Sequence, residues 1–212
     1  MKKQLIISAL LVSSVVSAQT PVDGWYAEAF GGYTYLPNNI STTRDTTVFT
    51  NGQYDSGYHF GGKAGYKSTP LRYEAEVSYL TTQTKDFEVN GIPQTGVTGN
   101  GNATLGFANV FYDFSDLSDS LEPYFGLGIG GAWLDSRFYS EGPLTPNRFK
   151  ATNTVFAYNA TVGVTYNFSE NYALDASYRY VGTARGDEFG KTFQAQQLSV
   201  GAIYRFDVAS YK

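Results

Sequence analysis

The chain contains no cysteine and one histidine. Without cysteine there is no disulfide framework and no thiolate metal site. The sequence shows no metal-ligand cluster, no phosphate loop and no dinucleotide fingerprint, so no cofactor is expected. Positive charge is scarce as well: 15 Lys and Arg stand against 19 Asp and Glu. No basic patch forms, which argues against nucleic acid as a partner. A helix that crosses a bilayer needs ~20 apolar residues. The one sustained apolar stretch, residues 5–16, is shorter than that and is broken by Ser8, Ser13 and Ser14.

That stretch reads instead as part of a secretory leader. Lys2 and Lys3 form the positive n-region, residues 5–16 the apolar h-region, and Val16-Ser17-Ala18 a small-residue cleavage site. The expectation is a signal peptide over 1–18, exported through the Sec pathway and cut after Ala18, leaving one domain over 19–212. Cleavage removes two of the 15 Lys and Arg and leaves 13 against 19 acids. What remains is rich in Tyr (18 in the whole chain), Phe (15) and Gly (23).

Eight runs then alternate in polarity: residues 25–35, 57–66, 71–79, 102–114, 123–133, 155–168, 172–181 and 194–206. The third is the cleanest. Leu71, Tyr73, Ala75, Val77 and Tyr79 alternate with Arg72, Glu74, Glu76 and Ser78, and a period of two puts these sets on opposite faces of a sheet. The fourth run has an ambiguous register. Asn109 falls on the face of Leu105, Phe107 and Phe111, which suggests a bulge or a slip.

Each run matches the ~9–11 tilted residues that cross a bilayer. The connections alternate in length. Long polar stretches (37–56, 81–101, 135–153, 182–193) follow the odd runs, and short turns (67–70, 115–122, 169–171) follow the even ones. Short turns on one side and long loops on the other mark a transmembrane barrel. A soluble barrel would also alternate, with its aromatic face inward. Here the aromatics gather near the run ends, as interfacial girdles do, and the opposite faces are too rich in Gly, Ser and Thr for a water-facing surface. The fold class expected is therefore all-β: an eight-stranded antiparallel up-and-down transmembrane barrel with short periplasmic turns and long extracellular loops.

Several segments carry a family likeness. The strand Pro123-Tyr-Phe-Gly-Leu-Gly-Ile-Gly-Gly-Ala-Trp133 resembles the PYxGxGxG strand of the small outer-membrane β-barrel family, the OmpA-like and opacity-type proteins often labelled porin-family. Segments 109–114, 160–166, 174–181 and 197–206 resemble that family's fourth, sixth, seventh and closing strands. The resemblance implies a Gram-negative outer-membrane location, contact with outer-membrane lipid, and insertion by the outer-membrane assembly machinery. That machinery would read Val200, Ala202, Tyr204 and Phe206 as the C-terminal assembly signal.

The inward set holds Glu28, Lys63, Arg72, Glu74, Glu76, Asp175 and Arg179. An eight-stranded interior is just wide enough for side chains, and charges enclosed there must pair. The reading is a polar network that plugs the lumen. The alternative is a narrow path for small solutes or ions. A third reading, a lipid-modifying enzyme or protease, would need a base beside a nucleophile, and no such spacing is legible around His59. Segments 41–47 and 95–102 read as exposed loop tips, where binding to a host or surface ligand would reside. The function expected is an envelope-structural and surface-interaction (adhesion) role, without catalytic residues.

Overall fold

The computed structural model describes residues 23–37, 41–45, 48–54, 56–89, 92–93, 98–115, 120–140, 147–184 and 194–206. The leader with its cleavage site and the tail 207–212 lie outside the described residues. Among the described residues there are eleven strands and no helix. In chain order they are β1 (Gly24–Tyr35), β2 (Ser41–Asp45), β3 (Val48–Tyr54), β4 (Gly57–Ser68), β5 (Leu71–Val89) and β6 (Ile92–Pro93). They continue with β7 (Thr98–Asp113), β8 (Leu121–Ser140), β9 (Asn147–Asn167), β10 (Tyr172–Thr183) and β11 (Gln194–Arg205).

Eight of them, β1, β4, β5, β7, β8, β9, β10 and β11, pair antiparallel in sequence order. The β1–β11 ladder then closes the ring, from Tyr26 opposite Arg205 to Tyr35 opposite Gln196. Within the ring, closure leaves no open strand edge, which is the condition for β-structure in lipid.

The pleat sorts the side chains as alternation predicts. Trp25, Tyr58, Val77, Ile129, Val162, Leu198 and Val200 are among the outward, exposed apolar residues. Aromatics cluster toward the turn end, where Trp25 packs on Tyr66 (5.3 Å between ring centroids) and Tyr204 on both Tyr172 (5.2 Å) and Phe206 (5.3 Å). The C-terminal residues Val200, Ala202, Tyr204 and Phe206 all lie on this outward face.

Three expectations need correction. First, β7 carries no bulge. Its register against β5 and β8 runs without a break, and Leu105, Phe107, Asn109 and Phe111 all point inward and are buried. This interior accepts aromatic rings because β8 lines it with glycine. A Cβ on Gly126 would stand 2.1 Å from the Phe111 ring, and one on Gly128 would stand 1.9 Å from Asn109 Oδ1.

Second, the short turns are shorter than the polarity suggests. β4 runs to Ser68 and β8 starts at Leu121, so Lys67 and Glu122 are strand residues with buried side chains.

Third, the long connections carry sheet. β5, β7, β8 and β9 have 19, 16, 20 and 21 residues, against 12 each for β1, β4, β10 and β11. The hairpin of β2 and β3 adds to the upper part of β5. Segment 41–45, read as a loop tip, is β2, and 98–102 lies in β7; residues 46–47 and 95–97 lie outside the described residues. The physical reason is that Thr, Val and Phe at 81–89 favour strand. An antiparallel hairpin can also extend into water by adding one paired residue at a time. Among the described residues, sheet thus rises farther past the ring on the β5–β9 side than at β10, β11, β1 and β4.

A charge placed on the outward band should disrupt insertion. Ala75→Arg and Val162→Arg are expected to lose about 2–4 kcal/mol each. Ala184→Arg, exposed just beyond β10, is expected to be neutral. Urea unfolding in lipid vesicles, followed by the heat-shifted gel band, measures this; equal midpoints for all three variants would refute the face assignment.

Candidate functional site: the barrel interior

The seven inward charges expected from the sequence, Glu28, Lys63, Arg72, Glu74, Glu76, Asp175 and Arg179, are all buried. Alternation on β1, β4, β5 and β10 aims them at the axis. Lys63 Nζ lies 2.9 and 3.0 Å from the two carboxylate oxygens of Glu28 and 3.9 Å from Glu74. Arg72 reaches Glu74 at 3.4 Å, and the Tyr26 hydroxyl donates to the same carboxylate. Arg179 grips Glu76 with both terminal nitrogens, and its Nε donates to Thr161 at 3.1 Å. Two parallel N–H···O bonds fix this pair more firmly than a point contact would. Asn109 donates to Glu76 (3.2 Å) and accepts from Asn159 (2.9 Å).

Asp175 differs from the other six. It makes no ion pair among the described residues and instead accepts from the Tyr124 hydroxyl at 2.8 and 3.0 Å and from Thr165 at 3.4 Å. Tyr124 in turn lies under the Arg72 guanidinium, 4.4 Å from ring centroid to Cζ, with Phe111 at 4.8 Å. Arg72 is therefore held by aromatic faces as well as by carboxylates, a cation–π contact that strengthens as water is excluded.

Several interior residues escaped the sequence reading. Lys67, Asp113 and Glu122 extend the ionic set to the turn end. Lys67 contacts Glu122 directly and Asp113 at 3.4 Å, while Arg72 meets Asp113 at 3.2 Å. Glu28, Lys63, Glu74, Arg72, Asp113, Lys67 and Glu122 thus form one chain of alternating sign. Counting the period of two past the apparent run ends would have assigned Lys67 and Glu122 to strands.

The second omission is an apolar layer. Leu36, Leu80, Ala103, Leu105, Phe107, Ala132, Ala157, Val181 and Ala195 pack together inside the barrel at its loop end. Opposite Leu80 of this layer sits His59, with Nε2 2.8 Å from Ser199 Oγ and Nδ1 2.9 Å from Thr34 Oγ1.

This interior and ring match a known class of protein. The outer membrane protein beta-barrel domain family matches residues 5–206. The chain belongs to that family. Among solved structures of similar fold is Neisserial surface protein A, with a TM-score of 0.53 and 20% identity over 86% of this chain and 97% of that one. Another is a major outer membrane protein from Thermus thermophilus, with a TM-score of 0.57 and 14% identity over 87% and 100%. Likeness at this level of identity concerns the fold. No curated protein matches the chain.

As a member of an outer-membrane barrel family, the chain must solve the problem of charges enclosed in its wall. Removing one partner of a buried pair typically costs about 3–5 kcal/mol. Glu76→Ala should cost that much by stranding Arg179, whereas Glu76→Met with Arg179→Met should cost less than the sum of the single changes. Gly128→Ala should cost about 1–3 kcal/mol through overpacking against Asn109. Urea midpoints in vesicles test all of these. An additive double variant, or a neutral Gly128→Ala, would show that the interior is looser than described.

Proposed function

We propose that this chain is a small, closed barrel of the Gram-negative outer membrane whose working surface is its loop end, in an envelope-structural and surface-interaction role. The observation that carries the reading is the filled interior. An ionic layer and an apolar layer lie across the lumen in series, so the enclosed side chains serve the wall rather than a passage. The upper parts of β5, β7, β8 and β9, with the β2–β3 hairpin on β5, carry sheet beyond the ring. Surface segments on a rigid scaffold are where recognition resides. Partners on this reading are outer-membrane lipid around the outward band and a host or surface ligand at the loops. The assembly machinery would engage the strand ending in Val200, Ala202, Tyr204 and Phe206. The leader 1–18 would be removed after Ala18, so the mature protein would begin at Gln19.

The second reading, a narrow porin, draws support from the alternating ionic chain, since a path of paired charges can pass ions when its pairs exchange. An enzyme is less well supported. His59 and Ser199 have the distance of a base and nucleophile, but Nδ1 faces a threonine hydroxyl rather than a carboxylate. Both residues are also buried.

Two measurements test the reading. In a planar bilayer the purified protein should give no steady current; sustained, cation-selective conductance would favour the porin. Cells displaying the protein should adhere to an epithelial layer, and should lose adhesion when residues 137–150 are replaced by a two-residue turn that leaves the heat-shifted band intact. Equal adhesion by the trimmed protein would remove the loop end from the function.

A further inference from the structure

The two interior layers differ in a way that decides where water can go. At the turn end a cavity of about 10 Å³, room for about one water, is lined by Tyr26, Arg72, Asp113, Thr165, Ile203 and Arg205 among others. Buried polar atoms without a hydrogen-bond partner among the described residues include Arg72 Nε and Nη2 and both Asp113 oxygens at that cavity. The others are on Glu74, Ser78, Asn167 and Gln197.

On β5, Arg72, Glu74 and Ser78 come before Leu80 of the apolar layer. On β7, Asp113 lies beyond Leu105 and Phe107 toward the turns. On β9, Asn167 lies beyond Ala157, and on β11, Gln197 lies below Ala195. Most of these groups lie on the turn side of the apolar layer, while Ser78 stands opposite Leu105 itself; the side chains of 83–100 and 136–153, beyond the layer toward the loops, lie outside the described residues. Asp113 and Glu74 are ion-paired, yet these oxygens receive no well-aligned hydrogen bond. Buried polar groups whose hydrogen bonding protein leaves incomplete are the ones that water completes, whereas a small apolar constriction expels water and blocks ions by dewetting.

We propose that the barrel is wetted from the turn end only. Water reaches the ionic groups from the periplasmic side, and a dry layer of Leu80, Leu105, Phe107, Ala132, Ala157 and Val181 seals the lumen toward the loops. This rests on the closed-lumen reading and adds which layer does the closing. The ionic chain is a hydrated vestibule with a floor, and the apolar layer is that floor. The layer draws on six of the eight barrel strands and on Leu36 just past the end of β1, while on β4 His59 stands opposite Leu80, so it reaches across the lumen rather than coating one wall.

Two experiments test it on the full-length protein in lipid. Water-edited NMR with methyl labels on Ile, Thr and Ala should show rapid magnetisation transfer from water to the methyls of Ile203 and Thr165, and slow transfer to those of Ala132 and Ala157. Conductance should separate the layers. Leu80→Ser with Leu105→Ser should turn the silent wild type into a steadily conducting protein by wetting the constriction. Glu76→Gln with Arg179→Gln, which removes an ion pair and leaves the apolar layer whole, should stay at baseline. The proposal fails if the alanine methyls exchange with water as fast as Ile203, or if the ionic variant conducts and the serine variant does not. The NMR comparison needs no variant, so a serine double change that does not fold leaves the test intact. A wild type that conducts steadily would overturn the closed-lumen reading itself; a silent wild type with uniformly wet methyls would overturn only the one-sided wetting.

Discussion

Closing eight strands on one another sets the terms for the rest of this protein. The ring satisfies the backbone without water, which lets the structure sit in lipid. It also fixes a lumen only a few side chains across, into which every second residue of each strand must point. Each inward residue therefore has to fit, pair or be glycine. The Phe111 ring fits because Gly126 lies against it, and the Asn109–Asn159 contact fits because Gly128 does.

Within that lumen the electrostatics follow from enclosure. An isolated ion would be too costly, so cations and carboxylates alternate from Glu28 to Glu122, and the remaining strong pair, Arg179 with Glu76, is bidentate. Asp175 takes hydroxyl donors in place of a cation. Aromatic faces from Phe111, Tyr124 and Phe30 flank Arg72, Lys63 and Arg179, giving the cations partners on sides where no carboxylate reaches. The charges do not fill the whole lumen. Toward the loops the same pleat presents alanine, leucine and phenylalanine, so one barrel has a polar half and an apolar half in series.

The outside follows a different logic. Lipid asks only for an apolar band with aromatic ends, and water beyond it asks only for paired backbone. Four strands meet the second condition by continuing as hairpins past the barrel, and the other four stop. The asymmetry gives the loop end a shape that strand count alone would not produce. It raises the described sheet highest on the β5–β9 side.

The sequence by itself determined the ring: eight alternating runs, the face of each of the seven expected charges, and the outward position of Val200, Ala202, Tyr204 and Phe206. A period of two is local, so it survives without knowledge of neighbours. It also determined the family, because the glycine-aromatic strands occur in order. Only the tertiary structure decided which charges touch. Glu76 and Arg179 are 103 residues apart, and their meeting depends on barrel closure and register. The inward turn of Phe107 and Phe111 was likewise undecidable from β7 alone, because the glycines that make room for such rings belong to β8. The apolar layer draws one residue from most of its strands and a few from β7, a pattern with no spacing along the chain. It exists only where the ring brings those strand ends to a common level.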